Sequence, residues 1–286
     1  MITAKIICDS VNTLNKTRLT TFELEYPRFI HSEVLTHRVF SRNAASSRAI
    51  PIEKMIERIR NDPAIPSYWG KNQRGMAAKE EIDTASKADA CTLWLNARDR
   101  AIESANALVA LGLHKQTVNR ILEPWAHISV VITATEFDNF FNLRCDEAAQ
   151  PEIQVLAHQM KYAMRDSVPV TLHPGDWHMP YITADERASI DWSAIPEDVE
   201  FGSLWFKDAI CCSVARCARV SYVTHGDENA NRDKDIAMHD SLLSGGHMSP
   251  FEHQAVASYD HGFRGNFRGW VQYRKMLPNE AVWKRP

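Results

Sequence analysis

Apolar residues between Ala88 and Leu111 (Leu93, Trp94, Ala97, Ala101, Ala105, Leu108) recur at three- and four-residue steps, and Gly112 follows them as a natural stop. The spacing predicts a helix over 88–111, the clearest in the chain, with one stripe that other elements have to cover. The pattern changes on either side of it. Phe22 to Tyr26 alternates apolar and polar residues, which predicts a strand ended by Pro27. Residues 29–38 read as a helix that delivers Thr36-His37-Arg38 to a loop, and Ile52, Met55, Ile56 and Ile59 mark a short amphipathic helix. Thr117 to Ile121 reads as a helix terminated by Glu123-Pro124. The run from Ile128 to Thr135 is β-branched, and its pattern leaves a strand and a buried helix equally open. Helices are expected over 147–164, near 205–217 and near 233–244, and a strand near 254–259. A polar stretch with Pro and Trp residues, roughly 168–200, reads as an excursion from the fold. No low-complexity linker divides the chain, so residues 1–286 are expected to form a single domain.

With 44% hydrophobic and 24% charged residues, the chain can build a sizeable core. A formal net charge of −3 argues against a general nucleic-acid binder, which needs a broad basic surface. No stretch has the apolar length of a membrane span, and Met1 to Lys5 does not open a secretory signal, so a soluble, cytoplasmic protein is expected. None of the six cysteines (Cys8, Cys91, Cys145, Cys211, Cys212, Cys217) forms a CxxC pair. They read as buried thiols, and no metal is expected.

Four segments concentrate chemistry. Thr36 to Arg48 carries three arginines, a histidine and three serines, the donors a phosphate needs, although a solvated polar loop would look the same. Phe137 to Arg144, followed by Ala149-Gln150-Pro151-Glu152, suggests an arginine at the edge of a packed face. Arg144 could there polarise a bound base, or simply pair with Glu152. Gly246 to His253 looks like a loop entering a helix; it could offer amides to an anion, or hold a buried histidine. His-x5-His does not suit zinc. Gly262 to Lys275 is basic and aromatic, with three glycines that allow close backbone approach; it suggests phosphate or single-stranded nucleic-acid contact, or an ordinary surface loop. There is no P-loop, GxGxxG, GxSxG or HExxH pattern.

Taken together, these segments resemble the flavin-dependent thymidylate synthases. The family motif RHR-x2-S-x-NE-x-S-x-R is matched by His37, Arg38, Ser41, Asn43, Ser46 and Arg48, with Thr36 in place of the first arginine and Ala44 in place of the glutamate. Arg120 stands before Ile121-Leu122-Glu123-Pro124 as an arginine does before a Leu-Pro turn in the family. Asn139, Arg144, Ala149, Gln150 and Glu152 match its N-x4-R and A-Q-x-E blocks. The block from Gly246 to His253, preceded by Ala218-Arg219-Val220-Ser221-Tyr222, resembles H-x-[ST]-P-F-E-H. That block precedes RHR in typical members and follows it here, so the chain resembles a circularly permuted member.

The resemblance implies an α+β fold, a central antiparallel or mixed sheet packed by long helices. It implies C5 methylation of dUMP with FAD, NADPH and 5,10-methylenetetrahydrofolate. Arg144 would be the catalytic cation at the uracil edge. Thr36, His37, Arg38, Asn139 and Ser249 would lie along FAD, while Glu33, Ser46, Ser47, Arg48, Arg120 and Arg144 would hold dUMP. Arg274-x4-Asn279-Glu280 repeats the Arg38-x4-Asn43 spacing, so Glu280 is expected to replace the carboxylate missing at Ala44. A homotetramer is expected from the same likeness. Thr36 and Ala44 keep two alternatives in view: hydroxymethylation or methylation of another pyrimidine deoxynucleotide, and a flavin- or nucleotide-binding protein without catalysis.

Overall fold

The β-branched run that periodicity left open is a strand in the computed structural model, which describes residues 1–189, 204–220, 231–278 and 280–281. It is β4 (His127–Ala134), in a sheet with β1 (Thr3–Asn12), β2 (Arg18–Pro27), β3 (Ser41–Ala44) and β5 (Val170–Leu172), in the order β3-β4-β2-β1-β5. The pairings are antiparallel except β1 with β5, so the sheet is mixed. Val and Ile are stiff at χ1 and fit a pleated surface better than a crowded helical turn, and β4 has a partner on each side to reward that choice.

Alternation along β2 and β4 sends Phe22, Leu24, Tyr26, Ile128, Val130 and Ile132 to one face, where they are buried. That face packs on α5 (Asp138–Arg144) and α6 (Pro151–Asp166), through Phe137, Phe140, Ile153, Leu156 and Met160. The helix expected from residue 147 begins at Pro151 instead. Proline suits the first helical position and disfavours helical geometry in the residue before it.

The opposite face is polar and also buried. Thr21 and Thr133, side by side on β2 and β4, share a hydroxyl–hydroxyl hydrogen bond of 2.8 Å. His178 Nε2 bonds Thr21 Oγ1 (2.8 Å), His178 Nδ1 bonds Ser10 Oγ (2.9 Å), and His253 Nδ1 bonds Thr133 Oγ1 (2.8 Å). The layer over this face comes from the second part of the chain. There β6 (Trp177–His178), β7 (Ala255–Ala257), β8 (Phe263–Arg264), β9 (Phe267–Arg268) and β10 (Trp270–Gln272) form a second mixed sheet, ordered β6-β7-β10-β8-β9. Helices α7 (Ala184–Ala188), α8 (Leu204–Arg219) and α9 (Arg232–Gly245) belong to the same part. Asn12, Asn43 and Ser41 bond Ser258 O, Cys217 O and Gln272 Nε2 across the layer, which pairs these polar groups between the two parts.

A third cluster joins α2 (Ile52–Asn61), α3 (Thr84–Ala110) and α4 (Lys115–Val118), which come after the five-residue α1 (His31–Leu35). Met55, Ile56 and Ile59 meet Ile102, Ala105, Val118 and Leu122. The long helix starts at Thr84 because Asp83 caps it, accepting from Ala85 N and Ser86 N. Its buried stripe is rotated from the expected one: Leu93 is 68% exposed, while Ile102 is buried beside Ala105. Trp94 sets the rotation, donating from Nε1 to Ala64 O (3.0 Å) and accepting from Trp125 Nε1 at its own carbonyl (3.1 Å). Among the described residues no helix is long and apolar enough to cross a membrane.

The segment from Gly262 to Lys275 is built into the second sheet. Phe267 and Trp270 are buried, Arg268 pairs with Glu136 and Arg264 with Asp260. Gly269 (φ +68°) lies so close to Asn15 that a Cβ there would stand 2.5 Å from its Nδ2. The glycine therefore serves packing within the chain. Ser221 and Tyr222, Asn279 and positions 190–200 of the expected excursion lie outside the described residues.

Candidate active site

Helix α1 ends at Thr36, whose hydroxyl donates to Glu33 O (2.6 Å), and the chain then turns through His37 and Arg38 into β3. Helix α5 brings Arg144 against this turn at its C-terminal end, where a cation is favoured. The guanidinium donates from Nε to His37 Nε2 (3.0 Å), from one terminal nitrogen to Glu33 Oε2 (3.2 Å), and from the other to Thr36 Oγ1 (3.2 Å). His37 is buried, with Phe140 edge-on to its ring at a centroid distance of 4.8 Å and Phe40 at 5.8 Å. Burial, then the nearby Arg144 and Arg42 guanidinium groups, hold its pKa below the usual imidazole value. A neutral His37 can accept from Arg144, and doing so places its own proton on Nδ1. Arg144 is thus a cation fixed in direction by three side chains, still 19% exposed. Glu152 is not its partner; that carboxylate is buried and accepts from Ser67 N (2.6 Å) and Ser67 Oγ (2.9 Å).

A second group forms where the 3₁₀ turn Ser47–Ala49 meets the 3₁₀ turn Asn119–Trp125. Pro124 lies inside that second turn, which replaces the α-helix expected to end there. One oxygen, Glu123 Oε1, accepts from Ser47 Oγ (2.6 Å) and Arg120 (2.8 Å) and lies 3.1 Å from Arg28. Asn119, fully buried, donates from Nδ2 to Ser47 O (2.7 Å) and Ile50 O (2.9 Å). Ser47 and Arg28 also line a cavity of about 370 Å³, together with Glu23, Glu25, Arg58 and Asp62. Asn119→Ala removes both bonds that fasten the Ser47 turn and is expected to cost about 2 kcal/mol. Urea unfolding measures this, and a loss under about 0.5 kcal/mol would mean the turn is held by other contacts.

Of the remaining candidates, Ser249 donates to Asn43 Oδ1 (3.1 Å), while Arg38, Arg48 and Asn139 are exposed and Ser46 half-buried. Ser249–Glu252 is a four-residue 3₁₀ turn, so no helix N-terminus offers amides to an anion there. His253 is the buried histidine of that segment, and its Nε2 has no hydrogen-bond partner among the described residues. Glu280 pairs with Arg274 (3.3 Å) and Lys275 (3.0 Å). Glu33, Thr36, His37 and Arg144 therefore come together in one group, and Ser47 and Arg120 in another. Arg28 and Asn119 were not among the residues expected from sequence, and Glu123 was expected only as a helix terminator. A lone arginine after Pro27 and an Asn inside a predicted helix carry no pattern that would single them out.

Burial pushes Cys211 and Cys212 up to about 12 and Cys8 up to about 11, so they stay protonated near neutrality. Among the described residues no group of three or more His, Cys, Asp or Glu could hold a metal ion.

Among solved structures, the chain is similar to a UMP/dUMP methylase, PolB, from Streptomyces cacaoi bound with 5-Br dUMP (16% identity, 57% of this chain and 90% of that one, TM-score 0.48). It is also similar to Thymidylate Synthase X from Helicobacter pylori with FAD and dUMP (16% identity, 51% of this chain and 67% of that one, TM-score 0.37). Likenesses this distant do not bear on what the present chain binds. No curated protein matches the chain. The family model described as thymidylate synthase complementing protein (Thy1) matches residues 12–170, more than half of the chain, and that span contains both the Arg144 and the Ser47 groups. The chain belongs to the thymidylate synthase complementing protein family.

Proposed function

We propose that this chain methylates C5 of dUMP by a flavin-dependent route. The observation that supports the reading best is Arg144, a guanidinium held by Glu33, Thr36 and His37 with about a fifth of its side chain exposed. C5 of a uracil becomes nucleophilic only when electron density is pushed into the ring, and charge then builds on the N3/O2 edge. A cation already oriented there stabilises that charge without reorganising at the moment of reaction. The neutral His37 keeps Arg144 from rotating and does not compete with it for the anion. Ser47, Arg120, Ser46 and Arg48 would hold the nucleotide's phosphate, with Arg28 beside them.

The donor set also suits a flavin dinucleotide. Arg38 and Asn139 are exposed guanidinium and amide groups, suited to phosphate oxygens and the polar edge of a ring, while the Thr36 and Ser249 hydroxyls, which donate to Glu33 O and Asn43 Oδ1, are left as acceptors. The unpartnered Nε2 of buried His253, four residues from Ser249, is a further polar atom in the same segment. When bound, FAD would supply reducing equivalents drawn from NADPH, and methylenetetrahydrofolate the carbon. Assembly as a homotetramer belongs to the same proposal.

A second reading rests on Thr36, whose hydroxyl is spent on Arg144 and Glu33 where the family places an arginine. A site with one cation fewer could let water, not hydride, complete the transfer and yield a hydroxymethyl product. Mass spectrometry of the nucleotide decides. Protein incubated with FAD, NADPH, methylenetetrahydrofolate and dUMP is expected to convert dUMP to its C5-methyl form, with no change in a parallel dCMP reaction. A hydroxymethyl product, or reaction of dCMP alone, replaces the named reaction; no product from either, with flavin bound, leaves a binding protein.

A further inference from the structure

Three donors from three separate segments, Ser47, Arg120 and Arg28, converge within 3.1 Å on a single carboxylate oxygen of Glu123. A hydroxyl and two guanidinium groups around one anionic oxygen form the arrangement that binds a phosphate oxygen. We propose that Glu123 competes with the incoming phosphate for these donors, so that this carboxylate sets the affinity for the nucleotide. The proposal rests on the reading that the Ser47 group takes the nucleotide's phosphate.

Several observations carry it. Ser47 and Arg28 line the 370 Å³ cavity, Ser47 almost fully buried and Arg28 with a fifth of its side chain exposed. Glu123 is not needed to place Ser47. The backbone of that turn is held by Asn119 through two carbonyls and by Lys115, which donates to Ala49 O (3.0 Å). The side chains of Glu123 and Arg120 are 21% and 51% exposed, so the carboxylate can swing into water without stranding a buried charge. The cavity wall adds to the repulsion, because Glu23, Glu25 and Asp62 line it. Glu23 is engaged by Tyr181 (2.5 Å) and Asp62 by the N-terminal amine (3.2 Å), which leaves Glu123 as the carboxylate on the anion-binding donors themselves. A phosphate gains those donors only in the fraction of molecules where Glu123 has let go, and its apparent affinity falls by that fraction.

The test is isothermal titration of the full chain with inorganic phosphate and, separately, with dUMP. Glu123→Gln keeps the shape and removes the charge; it is expected to bind both ligands about tenfold tighter or more. Glu123→Asp keeps the charge and is expected to stay within about threefold of the parent. Ser47→Ala in the Gln background should cancel the gain. Glu123→Ala reads the same way should the Gln variant fail to fold. A Gln variant that binds dUMP no better than the parent, or more weakly, makes Glu123 a positioning residue and overturns the proposal, with the nucleotide reading intact. Tighter phosphate binding with no dUMP binding by either protein sinks the nucleotide reading and leaves the competition standing. No binding of either ligand by any of the proteins overturns both.

Discussion

Replacing Arg144 with alanine is expected to lower the rate of nucleotide conversion by about 10²–10³-fold, the usual loss when one preorganised charge-stabilising donor is removed. The loss should fall on kcat, with KM for dUMP changed much less, because the charge that Arg144 meets develops after binding. The fold should survive. Arg144 lies at the end of α5 with its head partly in solvent; of the groups it leaves, Glu33 and Thr36 can turn to water, and buried His37 loses one donor to Nε2. Arg144→Lys is expected to recover little. A single ammonium cannot reach Glu33, Thr36 and His37 together, so it is neither aimed nor held. Steady-state kinetics of parent, Ala and Lys variants at saturating cofactors decide it. A kcat for Arg144→Ala within about threefold of the parent would remove Arg144 from the catalytic role.

Acid should destabilise this protein before its carboxylates titrate. His178 and His253 are fully buried in the polar layer between the first sheet and the second part of the chain. Burial, with Arg187 and His253 adding to it at His178, holds the pKa of His178 well below the usual imidazole value, and burial alone lowers His253 to about 3. Both are neutral when folded and take up a proton near pH 6.5 when unfolded. The unfolded chain therefore binds more protons below that value, and stability is lost as pH falls from about 6.5 toward the folded-state values. At pH 5 His253 should have cost about 2 kcal/mol relative to pH 7.5, and His178 adds to the loss in the same direction. His31, lowered to about 4 chiefly by burial, acts in the same direction. Urea unfolding at pH 7.5, 6 and 5 measures the loss; equal stability at all three would show that these histidines are protonated in the folded chain.

Both results depend on residues whose sequence context said different amounts. The Arg144 group was legible in its members and not as a set: the resemblance implied Thr36 and His37 along FAD and Glu33 and Arg144 on dUMP, whereas Glu33, Thr36 and His37 all bond Arg144. Thr36, His37 and Arg144 lie in blocks that match the family spacing and Glu33 three residues before the first of them, and local structure does most of the work of presenting them. A five-residue helix ends at Thr36, and α5 ends at Arg144. What spacing left open was the partner. Glu152 is eight residues from Arg144 and Glu33 more than a hundred, yet Glu33 makes the ion pair, because α1 and α5 meet at the rim of the first sheet while Glu152 is drawn inward to Ser67.

The Ser47 group was half legible. Ser47 and Arg120 sit in recognisable motifs, but the residue that joins them, Glu123, reads in one dimension as the last residue before a proline. The fold brings the turn Asn119–Trp125 against the Ser47 turn, so that Glu123 meets both Arg120, three residues earlier, and Ser47.

By itself, the sequence determined the elements with strong local periodicity or punctuation: the strand ended by Pro27, the short helix over Ile52 to Ile59, the long helix before Gly112 and the family of the chain. Those signals are local, carried by side-chain spacing and by the backbone limits of Pro and Gly. Tertiary structure alone decided that Ile128 to Thr135 is mainly strand, that α3 turns Leu93 outward, and that His253 is sealed against Thr133. In each case the local pattern did not separate two readings. Partners far away in the chain made the difference: β2 and β3 for β4, Ala64 and Trp125 for α3, and a threonine pair on the first sheet for the histidine.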